Sequence, residues 1–362
     1  MFTYLQNTIK RKRGDSTLLP RLAVYYVTMQ CNLNCAYCED FGSRRNHLVT
    51  PNPTLENAKK ILKVIRSGVD RLWLTGGEPL MVPHLLPLLE YARKDLKFRE
   101  VSLITNGTLL SQSLKVEKLA GSNLPNFQPA NLLTHLDRLI ISLDSVDPQA
   151  LSTVSVPDAY VETVIANARE AASLQEKYKF NLILNAVITP ETLPGMDKLL
   201  AFCTENKVKV SFSPQSVNNW PRYELVTSPE YRAFIEKIVQ LKKQGAPILG
   251  SHSYFKTLLN QTPYECYPTL IPRVMPDGWL AYPCRPMEKA GGEQGGRAVN
   301  LLSVETWDQA WSIAKKKYGE APTSCVSCFQ QCYAEPSLMQ ARPFEYLVER
   351  LRGNDVSVYA PG

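Results

Sequence analysis

The chain has 362 residues, 44% of them hydrophobic and 21% charged, enough for one large domain plus a smaller one around a sizeable core. With no signal peptide and no apolar run near the length of a bilayer span, its nine cysteines read as a cytoplasmic protein's metal ligands, not as disulfides. The net charge of +7 fits an anionic partner, but no nucleic-acid-binding motif is present.

Residues 1–20 form a basic N-terminal segment. Lys10-Arg11-Lys12-Arg13 follows Phe2, Tyr4, Leu5 and Ile9, which give a short helix an apolar side. The pattern fits either a weak membrane-surface contact or a solvated basic face. Apolar strand candidates come next, at Leu22 to Met29, Arg71 to Leu74, Val101 to Ile104, Arg138 to Leu143, Asn181 to Ile188 and Lys207 to Phe212. Thr54, Leu55, Ala58, Ile61, Leu62 and Ile65 have a helical period that stops at Gly68, read as a C-terminal cap. Leu199, Leu200 and Cys203 share a helix face, which makes Cys203 a core residue. This alternation over residues 21–225 predicts an α/β fold, a partial (β/α)6 barrel with reacting groups at the carboxyl ends of its strands.

The loop after the first strand, Cys31-Asn32-Leu33-Asn34-Cys35-Ala36-Tyr37-Cys38, can close three thiols on one centre. Three thiolates on a [4Fe-4S] cluster leave one iron without a protein ligand, whereas a structural zinc takes four closed ligands. Gly76-Gly77-Glu78-Pro79 ends the second strand, with two glycines for close backbone approach and a proline that fixes the turn. Thr105-Asn106-Gly107 ends the third, and Ser142-Leu143-Asp144 the fourth; both are also common turn sequences. Asn185 and Val187 lie near the end of the fifth.

Residues 226–261 read as a helical linker, with Ser228-Pro229 starting a helix over Tyr231 to Lys243. Residues 262–335 then hold Cys266, Cys284, Cys325, Cys328 and Cys332, enough thiols for one further four-ligand site, of iron–sulfur or zinc type. Residues 336–362 read as a final helix, Pro336 to Arg352, packed through Leu338, Phe344, Leu347, Val348 and Leu351, and then a loose tail from Gly353.

C-x3-C-x-Tyr-C on one strand end and Gly-Gly-Glu-Pro on the next resemble the radical S-adenosylmethionine (SAM) superfamily. The resemblance implies that the open iron binds SAM and that an electron from the cluster cleaves it to methionine and a 5'-deoxyadenosyl radical. It further implies that Gly76, Gly77, Glu78 and Pro79 meet the SAM amino group, that Thr105, Asn106, Ser142 and Asp144 serve its ribose hydroxyls and methionine carboxylate, and that Val187 belongs to the cofactor-binding set. Tyr37 matches the aromatic position whose backbone meets the adenine. The C-terminal cysteines, with a hairpin turn at Asp277-Gly278, resemble the auxiliary-cluster domains of that family, nearer the one-cluster twitch form than the two-cluster SPASM form. On that basis Cys266, Cys284, Cys325 and Cys328 hold one auxiliary [4Fe-4S] cluster, while Cys332 replaces one of them or sits by the substrate.

The function expected is hydrogen abstraction followed by oxidative modification of a peptide side chain, with electrons from a flavodoxin or ferredoxin. The alternatives are a small metabolite such as an alcohol or a nucleotide, a lipid, or a non-catalytic iron–sulfur carrier. Against a peptide, the stretch before Cys31 is shorter than the about 40 residues a lone recognition domain needs.

Overall fold

Along each of the first six strands, alternate side chains go to opposite faces, as the period of two requires. The computed structural model describes residues 2–42, 51–110, 132–154, 156–217, 219–322, 328–352 and 356–360. In it, helix α1 (Phe2–Lys12) precedes strand β1 (Ala23–Thr28), which leads through α2 (Leu55–Arg66) to β2 (Arg71–Gly76). Then come α3 (Leu85–Glu90), β3 (Glu100–Thr105), β4 (Arg138–Ser142), α4 (Pro148–Val154), α5 (Asp158–Tyr178), β5 (Asn181–Ile188), α6 (Met196–Glu205) and β6 (Lys209–Pro214). Strands β1 to β6 pair in parallel and in sequence order, which is the expected partial barrel. Leu72 and Leu74 of β2 and Leu139 and Ile141 of β4 pack outward under the helices, while Val24, Tyr26, Trp73, Ile140 and Ile183 fill the bore. Among the described residues no helix is long and apolar enough to cross a membrane.

Beyond β6 the chain forms a two-stranded ribbon, β7 (Ser216–Val217) and β8 (Trp220–Pro221), and then α7 (Pro229–Lys243). As expected, Ser228 caps α7, its hydroxyl accepting from the Tyr231 amide at 3.1 Å. The stretch read as a linker does more than link. Its strand β9 (Ile248–Leu249) pairs in parallel with β6 before α8 (His252–Asn260).

At the other edge, β10 (Arg273–Val274) pairs in parallel with β1, and β11 (Trp279–Tyr282) and β12 (Gly296–Asn300) continue antiparallel. The β10–β11 turn carries Gly278 at φ +87, in line with the Asp-Gly signal. Helices α9 (Arg285–Ala290), α10 (Trp307–Tyr318), α11 (Gln331–Ala341) and α12 (Pro343–Leu351) follow in this C-terminal part.

Local expectations fail where tertiary contacts intervene. Helix α2 ends at Arg66 with Ser67 in right-handed conformation, so Gly68 is no left-handed cap. A Cβ at Gly68 would lie 2.5 Å from Trp307, and its absence lets α10 pack against α2. The sixth strand starts at Lys209 because Lys207 turns with φ +54. The final helix is two helices broken at Arg342, with Pro336 inside α11; Phe344, Leu347, Val348 and Leu351 of α12 face solvent instead of the core.

The tail is not loose either. Over residues 356–360 it runs beneath the barrel, where Arg71, Glu100 and Arg138 lie buried at the starts of β2, β3 and β4. Arg71 makes a forked pair with Glu100 at 3.0 and 2.9 Å and donates to the carbonyls of Tyr359 and Ala360, each at 3.0 Å. Arg138 donates to the carbonyls of Val358 and Ala360. The Tyr359 ring stacks on Trp73 inside the bore, with centroids 5.1 Å apart. Removing one partner of a buried pair strands the other. We expect Glu100→Gln to cost about 3 kcal/mol in a urea titration; an unchanged midpoint would mean that the tail carbonyls alone hold both arginines.

Candidate active site

The carboxyl ends of β1, β2 and β3 are tied together before any side chain is considered. The Gly77 amide donates to Thr28 O at 3.0 Å and the Glu78 amide to Gln30 O at 2.8 Å, so the glycine segment lies along the entry to the cysteine loop. A Cβ on Gly77 would stand 2.0 Å from Gln30 O and 3.0 Å from the Cys31 Cβ. Glycine is required here by close approach.

Glu78 is fully buried, and three donors hold its carboxylate. Leu80 N (2.9 Å) and Thr105 Oγ (2.8 Å) reach Oε1, and Asn106 N (2.7 Å) reaches Oε2. Burial pushes its pKa up to about 7 against the pull of those donors. Glu78 and Thr105 therefore tie the loops together, and within Gly76 to Pro79 only Gly77 is not buried. Pro79 starts the short turn that Glu78 caps. Asn106 donates to Asn32 in the cysteine loop at 2.9 Å, and Asn32 donates to Thr108 at 2.8 Å. Reading by motif missed Asn32 and Thr108, although Asn32 stands inside the cysteine motif itself.

On the far side, Asp144 accepts from the Tyr37 hydroxyl at 2.6 Å and from the Val187 amide at 2.9 Å, fastening the cysteine loop to β5. Ser142 pairs in register with Asn185 at the ends of β4 and β5.

Cys31, Cys35 and Cys38 are brought together. Burial pushes the Cys31 thiol up to about 11 and the Cys35 thiol up to about 12, and the Cys38 thiol adds to both shifts. Thiolates here need a positive centre to compensate them, which an iron–sulfur cluster provides. The amides of Leu33 and Phe41 point at the Cys31 and Cys38 sulfurs, at 3.4 and 3.3 Å, and so complement thiolate charge. Among the described residues no three His, Cys, Asp or Glu side chains converge on a single metal ion.

A cavity of about 320 Å³ opens beside this loop. Tyr37, Cys38 and Asp40 form one wall, Asn185, Val187 and Ser213 another, and Arg273, Arg285, Lys289 and Cys332 the third; Tyr359 of the tail also lines it. Asp40 of the cysteine loop pairs with Arg285 (3.3 Å) and Lys289 (3.0 Å) of α9, so the C-terminal region is clamped across the mouth. Arg273 donates to the hydroxyls of Tyr26 and Tyr333, each at 2.8 Å. No motif marks Arg273 or Tyr359. They reach the cavity because β10 pairs with β1 and because the tail enters the bore.

Of the C-terminal cysteines, Cys266 and Cys328 are buried, Cys284 precedes α9, and Cys332 lies in the first turn of α11; Cys325 is outside the described residues. Tyr333 stands near both Cys284 and Cys332, and the Tyr264 hydroxyl bonds to the carbonyl of Cys328. Cys203 is buried in α6, as a core residue should be.

Glu335 anchors α11 from the buried side, accepting from Ser251 N at 2.7 Å and Gln331 Nε2 at 3.0 Å, and burial pushes its pKa up to about 7. A carboxyl with a raised folded-state pKa stabilises fully below its unfolded value of 4.5 and loses that contribution as pH rises towards 7. Glu335→Gln should flatten this part of the stability profile, measured as urea midpoint against pH. Gly77→Ala should lower the iron bound by the cysteine loop while far-ultraviolet circular dichroism stays that of the barrel.

Residues 25–203 match the model of the family described as the Radical SAM superfamily. A probable GTP 3',8-cyclase of Methanococcus aeolicus is 30% identical over 181 residues, 49% of this chain and 53% of that protein. The chain thus spans about half the length of curated relatives of this kind. Among solved structures, SuiB of Streptococcus suis has a TM-score of 0.57 at 19% identity, over 84% of this chain and 69% of SuiB. The protein anSMEcpe, solved with AdoMet bound, has a TM-score of 0.56 at 16% identity, over 92% of this chain and all of its own. These two likenesses are of fold.

Proposed function

Because the chain belongs to the radical SAM superfamily, we propose that it is an enzyme whose Cys31, Cys35 and Cys38 hold a [4Fe-4S] cluster with one iron left open for S-adenosylmethionine. Cluster and SAM together, when bound, supply a one-electron reductive cleavage and a carbon radical able to take a hydrogen atom from an unactivated position. The chain's own residues supply position and shelter. The backbone of Gly76 and Gly77 faces the methionine end, held by Glu78, Pro79, Thr105 and Asn106. Asp144 keeps Tyr37 against β5, and Ser142, Asn185 and Val187 at the ends of β4 and β5 serve the nucleoside end. Cys266, Cys284, Cys325 and Cys328 are the proposed ligands of an auxiliary cluster, with Cys332 left on the cavity wall or exchanged for one of them. Electrons come from a flavodoxin- or ferredoxin-type donor.

The substrate we propose is a small anionic metabolite of the nucleotide class. The observation that carries this is the clamped cavity. It lies between Cys38 and Cys332, is lined by Arg273, Arg285 and Lys289, and at about 320 Å³ falls within the range of small-molecule sites. The relation to a GTP cyclase supports the same class. A peptide side chain, expected from the sequence, is the second reading, favoured by exposed Val217 and Trp220 on the ribbon whose Ser216 and Asn219 line the cavity.

With dithionite and SAM, the reconstituted protein should release 5'-deoxyadenosine, and the Cys31→Ala, Cys35→Ala, Cys38→Ala triple variant should release none; retained cleavage would sink the central assignment. Nucleoside triphosphates should accelerate that release, and no response to any of them, with basal cleavage intact, would turn attention to peptides. Replacing Cys266 and Cys284 by Ala should remove about four irons per chain, whereas a loss of zinc would make the second centre structural.

A further inference from the structure

Two helices of this protein are turned inside out. Helix α1 directs its polar side inward: Asn7 is fully buried and exchanges two hydrogen bonds with the Leu19 backbone at 2.9 and 2.7 Å. Tyr4 bonds to Met339 O and Thr8 accepts from Gln340, while Leu5 is 59% exposed. Helix α12 does the same. It buries Glu349, which accepts from the His252 amide at 3.1 Å, and leaves Phe344 79% and Leu351 78% exposed, with Leu347 and Val348 between them.

The two apolar stripes adjoin. Tyr4 of α1 stacks on Tyr346 of α12 with ring centroids 6.5 Å apart, and Arg11 donates to Ala341 O at the end of α11, two residues before α12 begins. Leu5 and Ile9 recur at helical spacing and the stripe continues into Lys12; Phe344, Leu347, Val348 and Leu351 form the second, with Arg350 and Arg352 beside its end. Lys12, Arg13, Arg350 and Arg352 are exposed, whereas the nearby acids are engaged: Asp15 with Lys10, Glu345 with Ser253 and Arg342, Glu349 with His252.

Packing alone would bury Leu and Phe and expose Asn and Glu, so a surface with the opposite order is built to be covered by something apolar. Its cationic rim names the chemistry of the cover. We infer that the joint face of α1 and α12 rests on an anionic lipid bilayer, apolar stripes in the acyl boundary and Lys and Arg at the headgroups. The two helices act as one anchor, which neither could provide alone, since a single short helix binds only marginally.

The test is flotation of the full-length reconstituted protein with vesicles of phosphatidylcholine alone, or of phosphatidylcholine and phosphatidylglycerol in equal parts. Binding should be confined to the anionic vesicles and weaken as salt rises. Phe344→Gln with Leu351→Gln should lower partitioning by about thirtyfold, since two apolar side chains no longer enter the boundary, with SAM cleavage unchanged. Absence of flotation at low salt, or equal flotation of the double variant, would overturn the inference. So would sedimentation showing a wild-type dimer that the double variant dissolves, with no vesicle binding, because a second copy of the chain would then be the cover.

Discussion

A single buried carboxylate holds the chemistry of this protein in register. Glu78 sits where three strand ends meet, and each of its bonds leads to a different piece of the site: to the turn at Leu80, to Thr105, and through the Asn106 amide to the loop that contacts Asn32. Neutral or charged, it can be satisfied only if those loops are in place, because an unsatisfied buried carboxyl is costly. The Gly77 and Glu78 amides complete the arrangement by bonding to the strand that feeds the cysteine loop. The entry to the cysteine loop is therefore tied by backbone bonds to the glycine segment.

The opposite end of the barrel answers a different constraint. An open, partial barrel leaves its N-terminal mouth and bore to be filled. Here the chain's own end does so, its carbonyls accepting from Arg71 and Arg138 while Tyr359 enters the bore. The same tyrosine lines the cavity. Stability at the base and shape at the site are thus set by one short stretch of residues.

The C-terminal region is no appended module either. Strand β10 extends the barrel's own sheet beside β1, and the Asp40 pairs with Arg285 and Lys289 draw α9 across the mouth. Such partly exposed ion pairs contribute little to stability, but they fix which side chains face the cavity. The family match, by contrast, ends at residue 203, so the walls that would recognise a substrate come largely from outside it.

Much was legible in the residues themselves. The parallel strands, the position of both motifs at strand ends, the Ser228 cap and the core place of Cys203 all rest on local periodicity and turn chemistry, which neighbouring residues decide between them. The failures share one cause. Gly68 looked like a cap but is small for the sake of Trp307; a helix apolar on one side was expected to bury it but shows it to solvent; a polar, glycine-ended tail looked loose but is gripped by two buried arginines. The sequence by itself determined the fold class and the thiol loop, because spacing along the chain is enough to specify them. Only the tertiary structure decided that Arg273, Cys332 and Tyr359 share a cavity with Cys38, because contacts between residues hundreds of positions apart depend on how strands pair and what fills the space they enclose.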